Sequence, residues 1–252
     1  MKKHIPNLIT LLNLLSGCMA IVAVSNGDLV QASWWIILAA VLDLLDGLFA
    51  RLLQVSSDLG KQLDSLADVI SFGLAPGFIM YTLIGNAFAV QAPDAGALSL
   101  IAYAGFIIPV FAALRLARFN IDQDQKYDFK GLPTPVTALF ILSIPILLNC
   151  ELIVISWLNA FFTDPWALTG IVIVLSALMV SPLKLFSLKF RSILWKHNRG
   201  RVILIVAGLV LFFSLRFASV PFIILLYIVL SQLKLNDLID DTQVRDRGVD
   251  KE

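Results

Sequence analysis

Along this chain apolar residues run in long stretches, broken by short polar or basic segments. A membrane-spanning helix needs about 20 mostly apolar residues, with a range of about 17–25. Eight stretches approach that length: 6–25, 31–53, 62–85, 97–119, 133–150, 165–181, 201–215 and 217–234. The pattern predicts an all-α fold, a polytopic integral membrane helical bundle of about eight transmembrane helices. The last two stretches are short and meet at Arg216-Phe217, as in a tight helical hairpin or a less regular turn. Glu151–Thr163 is apolar but short, and reads as a turn of helix at the membrane interface.

Composition explains why lipid is the natural solvent. Of the 252 residues, 59% are hydrophobic and 15% charged, and the mean hydropathy is +0.88. A soluble domain has about 45–50% apolar and about 25% charged residues, so this chain lacks the polar surface to cover its apolar side chains. The net charge of +1 argues against nucleic acid as a partner. Met1-Lys2-Lys3-His4 resembles the start of a signal, but the apolar run has no clear small-residue cleavage site and reads as a retained first helix. Cys18 and Cys150, with no nearby His or Cys, read as small buried hydrophobes.

Charge gives the bundle a direction. With the N-terminus inside, all but Arg216 of the 19 Lys and Arg fall in cytoplasmic segments, where positive charge is favoured. This predicts that both termini, and the loop between the second and third helices, are cytoplasmic. Trp34 and Trp35 sit near the outer end of the second helix, where indoles favour the headgroup layer. Ser181–Arg201 is basic and apolar together and suits the membrane surface. Residues 1–235 are expected to form one membrane domain, and 236–252 a polar cytoplasmic tail.

Four aspartates interrupt the second and third helices near their cytoplasmic ends. Asp43 and Asp46 are three residues apart and Asp64 and Asp68 four apart, so each pair shares a helix face. A short loop makes the two helices antiparallel neighbours, and both pairs can face one cleft. A carboxylate within a membrane helix costs on the order of 2.5–3.5 kcal/mol on insertion scales, and four together repel one another. Such a cluster persists when hydrated, protonated or neutralised by cations. Hard divalent ions with oxygen ligands, Mg²⁺ or Mn²⁺, suit an all-carboxylate site, and substrate phosphates commonly complete it. Gly47 and Gly60 permit close approach of a base or phosphate to backbone, or simply close helix packing. Arg51 either snorkels to the interface or holds a phosphate.

The combined pattern is Asp43-x2-Asp46-Gly47-x2-Ala50-Arg51-x8-Gly60-x3-Asp64-x3-Asp68. It resembles the signature of the CDP-alcohol phosphotransferase family at all its fixed positions. The resemblance implies six family helices around a polar cavity open to the cytoplasm, two divalent ions on the four aspartates, CMP as leaving group and a homodimer. It gives Asp68 the additional part of general base. It places the nucleotide and phosphates at Asn7, Thr10, Gly47, Ala50, Arg51, Gly60 and Ser65.

Flanking segments narrow the match. Pro6-Asn7-Leu-Ile-Thr10, Ser71-Phe72-Gly73-Leu-Ala75-Pro76, Arg115-Leu-Ala-Arg118-Phe-Asn120 and Gly131-Leu-Pro133-Thr-Pro135 look like the phosphatidylserine synthase branch, over roughly residues 5–140. That branch implies CDP-diacylglycerol and L-serine as substrates. Arg115 and Arg118, three apart, either anchor the helix end or recognise an anion, the lipid phosphate or the serine carboxylate. Glycerol phosphate or inositol phosphate is the alternative acceptor class, calling for an additional basic pocket. An ion-coupled transporter is a remote alternative. It predicts midplane charges and broken helices in both halves, whereas residues 133–234 hold no matching acidic set.

Overall fold

The computed structural model describes residues 4–55, 57–91, 98–121, 129–149, 156–185, 199–215 and 219–233. Helix α1 spans His4–Ser25 and α2 spans Leu29–Leu52, joined at Gly27, whose φ of 83° admits glycine readily. The Asp28 side chain caps α2 by accepting from the Gln31 amide at 2.8 Å. Helix α3 (Asp58–Asp68) starts at Ser57, which accepts from the Gly60 amide at 3.0 Å. A wider π-helical turn follows over Val69–Leu74 and leads without a break into α4 (Ala75–Gln91). A 3-10 run, Leu98–Phe106, continues into α5 (Ile107–Ile121).

Helix α6 is Thr134–Asn149, α7 is the short Ser156–Thr163, and α8 is Pro165–Val180. Helices α9 (Arg199–Leu215) and α10 (Val220–Leu233) complete the order and pack against each other. Among the described residues each of the eight apolar stretches lies largely on helix, and the short α7 lies within the stretch read as an interfacial turn; the Arg216-Phe217 junction and Cys150 lie outside the described residues. His4–Ser25, Asp58–Gln91 and Leu100–Ile121 are long and apolar enough to cross a membrane; four of the remaining apolar helices are shorter. Two short strands, unforeseen from the hydrophobic pattern, tie loops together: β1 (Phe129–Lys130) pairs antiparallel with β2 (Lys184–Leu185). The tail and most of Ser181–Arg201, including residues 186–198, lie outside the described residues.

Small residues set the closest helix approaches. Ala20 and Ala23 on α1 and Ala32, Ile36 and Ala39 on α2 are buried in one core with Phe72, Ile79, Met80 and Ile84. Gly17 lies against the π turn, where a Cβ would stand 2.5 Å from Ser71 Oγ and 2.8 Å from its Cα. That proximity lets Ser71 Oγ donate to the Asn13 carbonyl at 3.0 Å and fixes the turn that follows Asp68. Around this core the outward faces stay apolar, with Leu8, Leu15, Leu44, Val110 and Phe213 exposed. A helix apolar all round belongs in lipid, and the molecule is an all-α membrane bundle.

Candidate active site

Helices α2 and α3 each pack their backbones against α1, more closely than against each other. The gap this leaves is where their carboxylates meet. Asp43, Asp64 and Asp68 each bring a carboxylate oxygen within 4.8 Å of the other two. Asp46, one turn beyond Asp43, lies outside that 4.8 Å group but close enough to act electrostatically on all three of its members. Its Oδ2 accepts a 2.6 Å hydrogen bond from Thr10 Oγ1 on α1. The helix spacing predicts two facing pairs, and the structure gathers all four carboxylates in one neighbourhood, with Asp43, Asp64 and Asp68 closest together and Asp46 bonded to α1. The hydrogen bond from Thr10 is a contact that sequence spacing on α2 and α3 does not register.

A cavity of about 350 Å³ opens beside this group. Its lining comes from α1 (Pro6, Asn7, Thr10), α2 (Asp46, Gly47, Ala50), the connecting loop (Val55, Ser57) and α3 (Gly60, Lys61, Asp64). A Cβ on Gly47 would meet nothing closer than an Arg51 nitrogen at 3.9 Å, so this glycine keeps part of the cavity open. A Cβ on Gly60 would stand 2.9 Å from Asn7 Oδ1 and 3.0 Å from Ser57 Oγ. The two glycines therefore differ: one preserves space, the other lets α1 approach the start of α3.

The remaining candidate residues lie around this cavity in different ways. Arg51 is exposed and its Nε donates to the Gly47 carbonyl at 2.9 Å; it is not among the lining residues. Ser65 also lies off the lining, donating to the Lys61 carbonyl at 3.2 Å and accepting from Asn120 Nδ2 at 2.8 Å. Arg115 and Arg118 share a helix but not an environment: Arg115 is buried and Arg118 exposed. Arg115 donates to Thr134 Oγ1 at 3.3 Å.

Sequence reasoning overlooked Lys61, the one Lys or Arg among the lining residues, having counted it only as positive charge in a loop. Its position next to Gly60 in the first turn of α3 was the available signal. Ser57 was likewise missed, although a serine three residues before Gly60 is a plain helix cap.

The donor set fits a hard divalent cation. The trio offers oxygen ligands only, with Asp68 buried and Asp43 and Asp64 half-buried. Asp68 is 9% exposed, and its buried Oδ1 has no hydrogen-bond partner. A buried carboxylate oxygen left unsatisfied is costly unless something else binds it.

Residues 3–180 match the family model described as CDP-alcohol phosphatidyltransferase. The chain is 33% identical over 207 residues to the CDP-diacylglycerol–serine O-phosphatidyltransferase of Helicobacter pylori strain J99, covering 81% of this chain and 80% of that protein. It is 40% identical over 138 residues to the protein of the same name from H. pylori strain 26695, covering 54% of each. It is also 33% identical over 183 residues to the archaetidylserine synthase of Methanothermobacter thermautotrophicus, covering 71% of this chain and 68% of that one.

Proposed function

Because this chain belongs to the CDP-alcohol phosphatidyltransferase family, we propose that it transfers the phosphatidyl group of CDP-diacylglycerol to the hydroxyl of L-serine, giving phosphatidylserine and CMP. The observation that carries this reading is the aspartate trio at the edge of a cavity large enough for a nucleotide. The names of the serine-using relatives supply the acceptor.

In this mechanism the cavity holds the nucleotide, with Asn7, Thr10, Gly47, Ala50 and Gly60 around it and Lys61 offering charge to a phosphate. Asp43, Asp46, Asp64 and Asp68 would hold two divalent cations, Mg²⁺ or Mn²⁺, which when bound offset negative charge on the phosphates. Thr10 fixes the carboxylate of Asp46 by its hydrogen bond and keeps it oriented. Asp68 accepts the proton of the serine hydroxyl through the carboxylate oxygen that a bound cation would leave free. The hydroxyl oxygen forms a bond to the phosphorus carrying diacylglycerol, and the bond from that phosphorus to the CMP oxygen breaks. Attack and departure are in line. Ser65, through Asn120, ties α3 to the end of α5 and steadies the helix that carries Asp64 and Asp68.

The basic segments support a site facing the cytoplasm, with both termini on that side of the cytoplasmic membrane. Family resemblance supports a homodimer. The deciding experiment follows CMP release by purified protein from CDP-diacylglycerol with a panel of alcohols, before and after chelation and re-addition of Mg²⁺ or Mn²⁺. Serine-dependent CMP release that chelation abolishes is the expected result. If glycerol phosphate or inositol phosphate released CMP and serine did not, the serine assignment would be lost and the family reaction kept.

A further inference from the structure

Arg115 is the only Lys or Arg among the buried residues described, at 9% exposed. Its guanidinium is anchored to Thr134, which is wholly buried and is the first residue of the 16-residue α6. Helix N-termini carry partial positive charge on their unsatisfied amides and favour anions. Here a cation sits at that positive end, out of water, and the first turn of α6 contains no acidic residue. Two positive features facing one buried spot are unfavourable unless an anion lies between them. Nε of Arg115 is buried without a hydrogen-bond partner, so a donor remains to be met.

Asp68 is close enough to act on Arg115 electrostatically. It does not meet that donor, however, because Nε of Arg115 and Oδ1 of Asp68 are both unpartnered. Asp68 is in any case drawn into the carboxylate trio. A third group approaches from the far end of the chain. Tyr227, on α10, is buried and lies within electrostatic reach of the guanidinium, and α10 packs against α6.

Position tells the two possible anions apart. Arg115 is not among the residues lining the nucleotide-sized cavity, which lies toward α1. An in-line displacement brings the attacking hydroxyl from the side opposite the leaving CMP. With CMP on the Gly47–Gly60–Lys61 side, the acceptor belongs on the Arg115 side of Asp68.

We propose that Arg115, with Thr134, Tyr227 and the N-terminal turn of α6, binds the carboxylate of the acceptor amino acid and thereby selects it. This rests on the serine reading given above. The planar guanidinium fork matches a carboxylate in geometry and charge. Tyr227, beyond the 3–180 segment that matches the family, makes acceptor choice partly a property of the C-terminal helices. Arg118, exposed on the same helix, has no share in it.

The test compares L-serine with L-serinamide, which keeps the hydroxyl and amine but carries a neutral amide in place of the carboxylate. Full-length wild-type protein should favour serine by roughly tenfold or more in kcat/KM for CMP release, the worth of a charge-assisted hydrogen bond. Arg115→Gln should raise KM for serine roughly ten- to hundredfold, bring the serine-to-serinamide ratio near one, and leave KM for CDP-diacylglycerol within about twofold. Tyr227→Phe should narrow the ratio by a smaller factor.

A raised KM for CDP-diacylglycerol with selectivity intact would assign Arg115 to the lipid phosphate and overturn the proposal. So would an unchanged ratio in both variants. If Arg115→Gln melts before it can be assayed, the ratio in Tyr227→Phe decides, together with the thermal shift of wild-type protein by serine and by serinamide. Equal shifts and an unchanged ratio refute the carboxylate subsite. Failure of the underlying serine reading looks different, since wild-type protein would then release CMP with another alcohol and not with serine.

Discussion

Two sides of the same aspartate cluster are built in opposite ways. Toward α1, the cavity is made almost entirely from two nearby pieces of chain, Pro6–Thr10 and Asp46–Asp64. Hydrogen bonds there are local or join adjacent helices, such as Ser57 to Gly60 and Thr10 to Asp46. Toward α6, the surroundings of Arg115 are gathered from residues 68, 115, 134 and 227, on four separate helical segments. The side assigned to the CDP-linked donor is therefore a compact unit of sequence. The side assigned to the acceptor depends on how distant helices pack. One chemistry can be kept on the first side while the second is varied, which is how a family with a common leaving group can serve different alcohols.

The largest expected effect strikes where the two sides meet. Asp68→Asn preserves shape but removes a charge from the trio and the proposed proton acceptor. General-base catalysis contributes about 10²–10⁴-fold, so turnover with serine should fall by at least that range. Binding of CDP-diacylglycerol, followed by titration of the purified protein, should change little. Turnover near the wild-type level would take Asp68 out of the base role and leave the comparison without its centre.

The same contrast explains what could be read in advance. The eight apolar stretches are properties of composition over about 20 residues, so helix positions came through well, including the short α7. The aspartate motif lies within one short span, residues 43–68, so it is legible as a sequence pattern. What escaped notice depends on tertiary contact. Thr10 on α1 donates to Asp46 on α2, a contact between residues 36 apart in the chain. The π turn after Asp68 packs on α1 where Gly17 admits Ser71, a contact between residues far apart in sequence. The β1–β2 bridge is two residues long and has no periodicity to detect. No sequence pattern singles out Tyr227, and only packing sets it near Arg115.

A smaller effect should follow from Thr10→Val, which keeps the branched shape and removes the hydroxyl donor to Asp46. A hydrogen bond to a charged group is worth about 1.5–3 kcal/mol, equivalent to roughly tenfold or more. The loss should appear in CDP-diacylglycerol turnover and in the concentration of Mg²⁺ or Mn²⁺ needed for half-maximal activity. Thr10→Ser should recover most of it. Preference for serine over serinamide should stay at the wild-type value, because the change is confined to the donor side. A collapse of that preference would show that the two sides are coupled through Asp46.

Gly60→Ala should act more weakly and on the same side. Its new methyl would crowd Asn7 Oδ1 and Ser57 Oγ, both ends of side chains that can turn aside. Overpacking costs about 1–3 kcal/mol where neighbours cannot move and less where they can. KM for CDP-diacylglycerol should rise by a few fold, with KM for serine unchanged. An equal rise in both would mean that α3 shifts as a body and carries Asp64 and Asp68 with it.

Arg118→Gln should have the smallest effect, and it examines the acceptor side most strictly. Arg118 lies in the last turn of α5, where a cation interacts favourably with the negative end of the helix dipole, by about 0.3–1 kcal/mol when exposed. It carries the same charge as Arg115 three residues earlier, so a general basic patch would lose function when either arginine is neutralised. A buried carboxylate subsite makes the two unequal, because Arg115 is out of water with an unmet donor while Arg118 is solvated. Neutralising Arg118 should lower the melting temperature slightly and leave both KM values within about twofold of wild type. A serine KM raised as far as in Arg115→Gln would replace the carboxylate subsite with diffuse electrostatic attraction. High salt would then abolish the difference between serine and serinamide, whereas a desolvated pair keeps it.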